Sequence, residues 1–303
     1  MPVRCAKPDS SPLLLRGLAD IAGNYDVILC DVWGVIHNGV ARFPQAVDAL
    51  SRFRAKGGTV ILITNAPRPR DKIIDFLDAL GVAHAAYDGL VSSGDVTVSL
   101  ILDRGDQPLA HLGPAQDRSL FAVVEAMSGR AVRFADLAKA AFVVCTGLDD
   151  ADKETPEDYA ARLSLMARHN LDFICANPDI VVEVGDRLIY CAGALAEAYA
   201  ALGGPVIQAG KPYPPIYERA LAAAARCSGK SVDRARVLAI GDAMHTDIKG
   251  GQSQALATLF VTSGIHRGEL HRAAASALDA AAFRQFLESS GFAPTAAIAE
   301  LVW

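Results

Sequence analysis

Short runs of β-branched and aliphatic residues, each stopping at a polar residue and followed by an amphipathic helix, constrain this chain more than any other feature. Val27–Cys30 (VILC) stops at Asp31. Pro44 then opens a helix with apolar positions at Val47, Leu50 and Phe53, and Gly57–Gly58 stops it; proline suits the first helical position and glycine the residue past the end. Thr59–Ile63 is the next strand and ends at Thr64–Asn65, and the following helix carries Ile73, Ile74, Leu77 and Leu80 on one face before Gly81. Continuous apolar strands alternating with such helices predict a buried parallel sheet. The same grammar returns later. Val206–Gln208 leads to Gly210–Lys211, a helix spans about Pro215 to Cys227, Arg236–Ile240 ends at Gly241–Asp242, and after a short helix Thr258–Thr262 is a further strand. Ligands of open α/β sheets bind beyond the carboxyl ends of the strands, and Asp31, Thr64, Lys211 and Asp242 all fall there.

Between these halves lies a unit of its own. Residues 1–105 and 206–303 are expected to form the core, and 106–205 an inserted, smaller α/β domain. The insert has strands near Leu109–Leu112, Phe142–Thr146, Phe173–Cys175 and Val181–Val184. Thr155–Pro156 predicts a helix start, as N-cap and first-turn proline, with Asn170 as its end; a second helix is predicted over Ala194–Leu202. The Ala-rich stretch 273–282 predicts a helix of modest character.

Composition narrows the function classes. The net charge is −5, and no stretch is dense enough in Lys and Arg to supply a nucleic-acid face; Arg68, Arg70 and Lys72 sit among acidic neighbours. Six cysteines are widely spaced, several inside apolar runs, which suits a reducing cytoplasm better than a disulfide framework. No apolar run reaches membrane-spanning length. A cytoplasmic protein is expected, with neither nucleic acid nor membrane as partner.

DVWGVIH (31–37), TNAPR (64–68), GKPYPPIY (210–217) and GDAMHTD (241–247) stand in that order. Phosphoryl transfer needs a nucleophile, a divalent cation on hard oxygens, donors to the phosphoryl oxygens and a counter-charge. Asp31 suits nucleophile and metal ligand together, since carboxylates form aspartyl-phosphates. Asp242 can complete a Mg²⁺ site, with Asp247 supporting it. Thr64 offers a hydroxyl and Asn65 an amide to the phosphoryl group, and Lys211 a positive charge. Asp247 also reads as a helix cap, because TDI opens a helix.

These motifs, in this order and with an insert between the second and third, resemble the haloacid dehalogenase superfamily. The TN-[AS]-x form, GKP-x-P and GD-x₃-TDI-x-GG (241–251) are similar to its class IIA phosphatases, as is Asn177–Pro178–Asp179 followed by a helix starting at Gly193–Leu195. The resemblance covers about residues 25–265. It implies a Rossmann-like parallel-sheet core, an α/β cap that selects a small phosphorylated metabolite, Mg²⁺ as cofactor, and hydrolysis of phosphoric esters. Caps of this class often mediate dimers in the family, so a homodimer belongs to the expectation.

Trp33 departs from the pattern. Phosphatases of the family usually carry there a second Asp that moves the leaving-group proton. An indole cannot, although the Trp33 backbone carbonyl can still bind metal. General acid–base assistance is worth ~10²–10⁴-fold, so slow turnover is expected unless His37 or His245 replaces it. Two rivals follow: a phosphometabolite-binding protein with lost turnover, and a metal-independent dehalogenase, whose family members carry an aromatic residue at this position. The intact acidic pair of the fourth motif argues against the latter.

Overall fold

The computed structural model of the chain describes residues 11–184, 187–271 and 278–303. Its strands are β1 (Leu13–Leu14), β2 (Val27–Cys30), β3 (Thr59–Thr64), β4 (Gly89–Ser92), β5 (Leu109–Leu112), β6 (Phe142–Cys145), β7 (Asp172–Cys175), β8 (Val181–Val184), β9 (Arg187–Tyr190), β10 (Val206–Gln208), β11 (Val237–Gly241), β12 (Ala257–Val261) and β13 (Ala296–Ile298). Its helices are α1 (Pro44–Ala55), α2 (Arg70–Ala79), α3 (Ser93–Leu102), α4 (Ser119–Ser128), α5 (Ala160–Arg168), α6 (Ala192–Ala201), α7 (Pro214–Ser228), α8 (Lys249–Ser253), α9 (Arg267–Leu270) and α10 (Ala280–Ser290). The chain forms two compact units: Met1–Thr64, Leu77–Val91 and Tyr217–Trp303 make the first, Asn65–Phe76 and Ser92–Ile216 the second.

The first unit is built on a sheet of order β1-β13-β12-β11-β2-β3-β4. Pairings from β1 through to β3 are parallel, as the Rossmann-like reading requires. Every residue of β2, β3 and β11 is buried. A parallel sheet covered on both faces needs this, because neither face of such a strand meets water. Leu29, Ile61 and Leu238 are fully buried, and each such side chain contributes about 1.5–3 kcal/mol. Pro44 is the first residue of α1, and Gly57 takes φ 90° just past its end, as the sequence indicates.

Cys30 pairs with Ile240 on one side and Leu62 on the other. The exits of β2 and β11 are therefore level, and the Asp31 N–H donates to Ile240 O at 2.8 Å. That register puts Asp31 and Asp242 at one end of one sheet.

The second unit holds a parallel sheet of order β10-β7-β6-β5 and an antiparallel hairpin, β8–β9. Val206–Gln208 belongs to this sheet, beside β7. Alternation along β7 feeds two apolar layers: Phe173 and Cys175 pack with Tyr159, Leu195 and Tyr199, while Ile174 packs with Leu120, Phe121 and Val144. The segment after Thr155 begins as a tight turn over Pro156–Tyr159 before α5 starts at Ala160. Asp158 accepts the Thr155 N–H at 2.8 Å, the return half of a capping box at this helix start. Asn170 ends this segment with φ 49°.

Of the Ala-rich stretch, residues 273–277 lie outside the described residues, and α10 begins at Ala280. Cys5 also lies outside them. Among the described cysteines Cys30, Cys145, Cys175 and Cys191 are buried and Cys227 is exposed, all as free thiols. No described helix is long and apolar enough to cross a membrane.

Candidate active site and metal centre

In the first unit the sheet brings three acidic side chains together. Asp31 follows β2 directly, Asp242 follows β11, and Asp247 lies in the next turn. One carboxylate oxygen from each lies within 4.8 Å of the other two, and all three residues are buried. Three converging carboxylates are hard oxygen donors of the kind that could hold a divalent cation. The donor set of hard oxygens fits Mg²⁺.

The carboxylates are held in place. Asp242 Oδ2 accepts the Ile265 N–H at 2.8 Å. It lies against the Cα of both Gly34, at φ 81°, and Gly264; a Cβ on either would overlap it. The Trp33–Gly34 peptide therefore passes beside this carboxylate. Asp247 Oδ2 accepts the Ala243 N–H at 3.1 Å across a wide π-type turn, Met244–Ile248. Asp247 thus sits inside the turn rather than at the cap of α8, which is Ile248. The Tyr217 hydroxyl meets Thr246 O and Asp247 O at 3.4 Å each, which links α7 to this loop. Thr64, at the end of β3, is buried.

Trp33 folds back on its own loop. Its indole covers the Cα of Gly39 and stands edge-on to His37, with ring centroids 4.9 Å apart. His37 is 2% exposed, its Nδ1 accepts the Gly39 N–H at 2.9 Å, and burial holds its pKa down at about 4. His245 is exposed, its ring against Phe292 at 6.1 Å.

The second unit has its own polar edge, at the carboxyl ends of β5, β6, β7 and β10. Lys211 is 2% exposed, three residues past β10. The Asn65 side chain lies on it: Oδ1 accepts the Lys211 N–H at 2.7 Å, while Nδ2 donates to Lys211 O at 3.2 Å and to Asp179 Oδ1 at 2.8 Å. Asn177 Oδ1 accepts the Asp179 N–H at 3.1 Å, a turn of the sort the sequence suggests. Arg68 Nε donates to Asp117 Oδ1 at 2.9 Å. Burial raises the Asp117 pKa, against the opposing hydrogen bonds and charge of Arg68 and a hydrogen bond with Thr146. His111 Nε2 lies 3.0 Å from Thr146 Oγ1, and burial holds this imidazole too at about 4.

The loop Ser263–Gly264–Ile265, which positions Asp242, carries none of the four motifs. Its place just past the strand Thr258–Thr262 is the available signal. The hold of Asn65 on Lys211 left no such trace, because a Thr-Asn pair at a strand end does not reveal where the carboxamide points.

The family profile described as haloacid dehalogenase-like hydrolase matches residues 28–126, and one described as HAD-hydrolase-like matches 208–287. Chronophin of Homo sapiens is 25% identical over 275 residues, covering 84% of this chain and 88% of the relative. D-glycerol 3-phosphate phosphatase of Mycobacterium tuberculosis is 27% identical over 251 residues, covering 82% of this chain and 66% of the relative. A crystal structure of a hydrolase of the haloacid dehalogenase-like family from Brucella suis superposes with a TM-score of 0.83 at 45% identity, over 95% of this chain and all of that one. With both halves of the sequence matched and a relative this similar along nearly its whole length, the chain belongs to the haloacid dehalogenase-like hydrolases.

Proposed function

We propose that the chain is a Mg²⁺-dependent phosphatase of a small phosphorylated metabolite that works through an aspartyl-phosphate on Asp31. One observation carries this reading: the buried carboxylates of Asp31, Asp242 and Asp247, converging at one sheet end. The phosphatase names of chronophin's companion relative and the family's hydrolase description support the reaction class. Asp31, Asp242, Asp247 and the Trp33 carbonyl would hold the ion. Once bound, Mg²⁺ offsets the repulsion among the carboxylates and the charge of the phosphoryl oxygens.

Asp31 attacks phosphorus, its Oδ–P bond forming as the ester P–O bond breaks and the leaving oxygen departs with the bonding electrons. Water then cleaves the acyl phosphate, releasing orthophosphate and restoring the carboxylate. Thr64 binds the transferring group through its hydroxyl, and Asn65 through its backbone N–H, since its side-chain donors lie on Lys211 and Asp179. Lys211 supplies positive charge to the transition state. The second unit, which holds the 106–205 insert expected from sequence together with β10, is the cap that selects the metabolite in this reading.

Trp33 supports a second reading, a phosphometabolite-binding protein that lost efficient turnover. An indole stands in the sequence where the resemblance expects the proton-transfer Asp, and the His37 Nδ1 is taken by Gly39. Trp33→Asp separates the two. A silent parent that gains about 10²-fold or more in phosphate release identifies a binder. A parent already active, and slowed by the change, is an enzyme with another proton donor, to be sought with His37→Ala and His245→Ala.

A further inference from the structure

We infer that Asn65 is a positioning residue whose side chain holds the Lys211 backbone, so that it acts on the reaction through Lys211. This rests on the role proposed above for Lys211. A carboxamide has two N–H donors and one carbonyl, and here all are engaged. The carbonyl takes the Lys211 N–H, one N–H goes to Lys211 O, and the other to Asp179 Oδ1. Both backbone polar groups of Lys211 therefore face a single side chain, much as two strands face each other in a sheet.

The orientation of the amide is fixed by chemistry. Turning it over would set N–H against the Lys211 N–H, and carbonyl oxygen against both Lys211 O and the Asp179 carboxylate. Three mismatches exclude that arrangement. Asp179 is itself anchored, its carbonyl accepting the Gly193 N–H at 3.1 Å at the start of α6. Gly210 makes the approach possible: a Cβ there would overlap Asn65 Oδ1 and press on Pro178 Cδ. The glycine of the Gly-Lys pair is thus the space that Asn65 occupies. Asn65 and Lys211 are each 2% exposed, so water does not readily replace the lost bonds when the carboxamide is removed.

A double-mutant cycle of Asn65→Ala and Lys211→Ala, read as steady-state hydrolysis of p-nitrophenyl phosphate with Mg²⁺, tests the inference. Misplacing a reacting group by about 1 Å costs ~10²-fold, so Asn65→Ala is expected to lower kcat by that order while KM changes less than about threefold. In the Lys211→Ala background the same change is expected to cost almost nothing further, because residues acting as a unit are not additive. Fully additive losses would overturn the inference, since Asn65 would then contact the substrate independently. Amide hydrogen exchange at Lys211 checks the hold without any activity: Asn65→Ala should speed it at least about tenfold, with melting confirming the fold. Unchanged exchange overturns the inference. Faster exchange in a protein that hydrolyses no phosphoester keeps the hold and defeats the proposed function.

Discussion

The two parallel sheets end in different chemistry. The carboxyl end of the first sheet gathers Asp31, Asp242 and Asp247, groups of one sign within 4.8 Å. The carboxyl end of the second gathers opposites and neutrals: Arg68 with Asp117, Arg162 with Asp149 at 2.6 Å, His111 with Thr146, and Asn65 with Lys211 and Asp179. Both edges come from the same strand-helix grammar. The first is a set of like donors that could hold a cation, and the second pairs its groups with one another. A parallel sheet thus offers a place for ligands, while the signs of its loop residues decide whether that place demands one.

This contrast can be broken at the first edge most severely. Asp31→Asn removes the nucleophile, and phosphate release is expected to fall by about 10⁴-fold or more. Retained turnover would move the chemistry elsewhere. Asp242→Asn is expected to cost ~10²–10³-fold, the scale of losing one preorganised electrostatic group. It should also abolish the stabilisation of wild-type protein by Mg²⁺, about 2.7 kcal/mol at 100 times the dissociation constant, read as a melting shift. Equal shifts in both proteins would take the ion away from these carboxylates.

The smallest effect belongs to the second edge. Burial raises the Asp117 pKa above its ordinary 3.8, so the native state holds this proton more firmly than the unfolded chain. The stability from this group is present below 3.8 and lost as the pH rises through the native value. Asp117→Asn should therefore flatten the decline of unfolding free energy with pH just above 3.8, in urea titrations, while leaving Mg²⁺ stabilisation intact. An unchanged slope would show that Arg68 and Thr146 already offset the burial.

How much of this could be read beforehand follows from where each interaction is encoded. VILC–Asp and VLAIG–Asp announce buried strands with an acid at the tip, and the parallel register then brings Asp31 beside Asp242 without further information. Val206–Gln208 carries the same apolar signal but joins β7, since periodicity names a strand without naming its neighbour. The π-type turn at Met244–Ile248 has no such signature, because the Asp247 carboxylate reaches back to the Ala243 N–H within it. Trp33 was legible as a departure, but its fold onto Gly39 and His37 was not. The direction of the Asn65 carboxamide is hidden for the same reason: side-chain aim is set by contacts that the sequence does not order.

The most direct test is phosphate release from p-nitrophenyl phosphate by chelator-treated protein as Mg²⁺ is added back. The account predicts a saturable rise from a negligible baseline, absent in Asp31→Asn. A rate indifferent to Mg²⁺, or no release at any concentration, would contradict it.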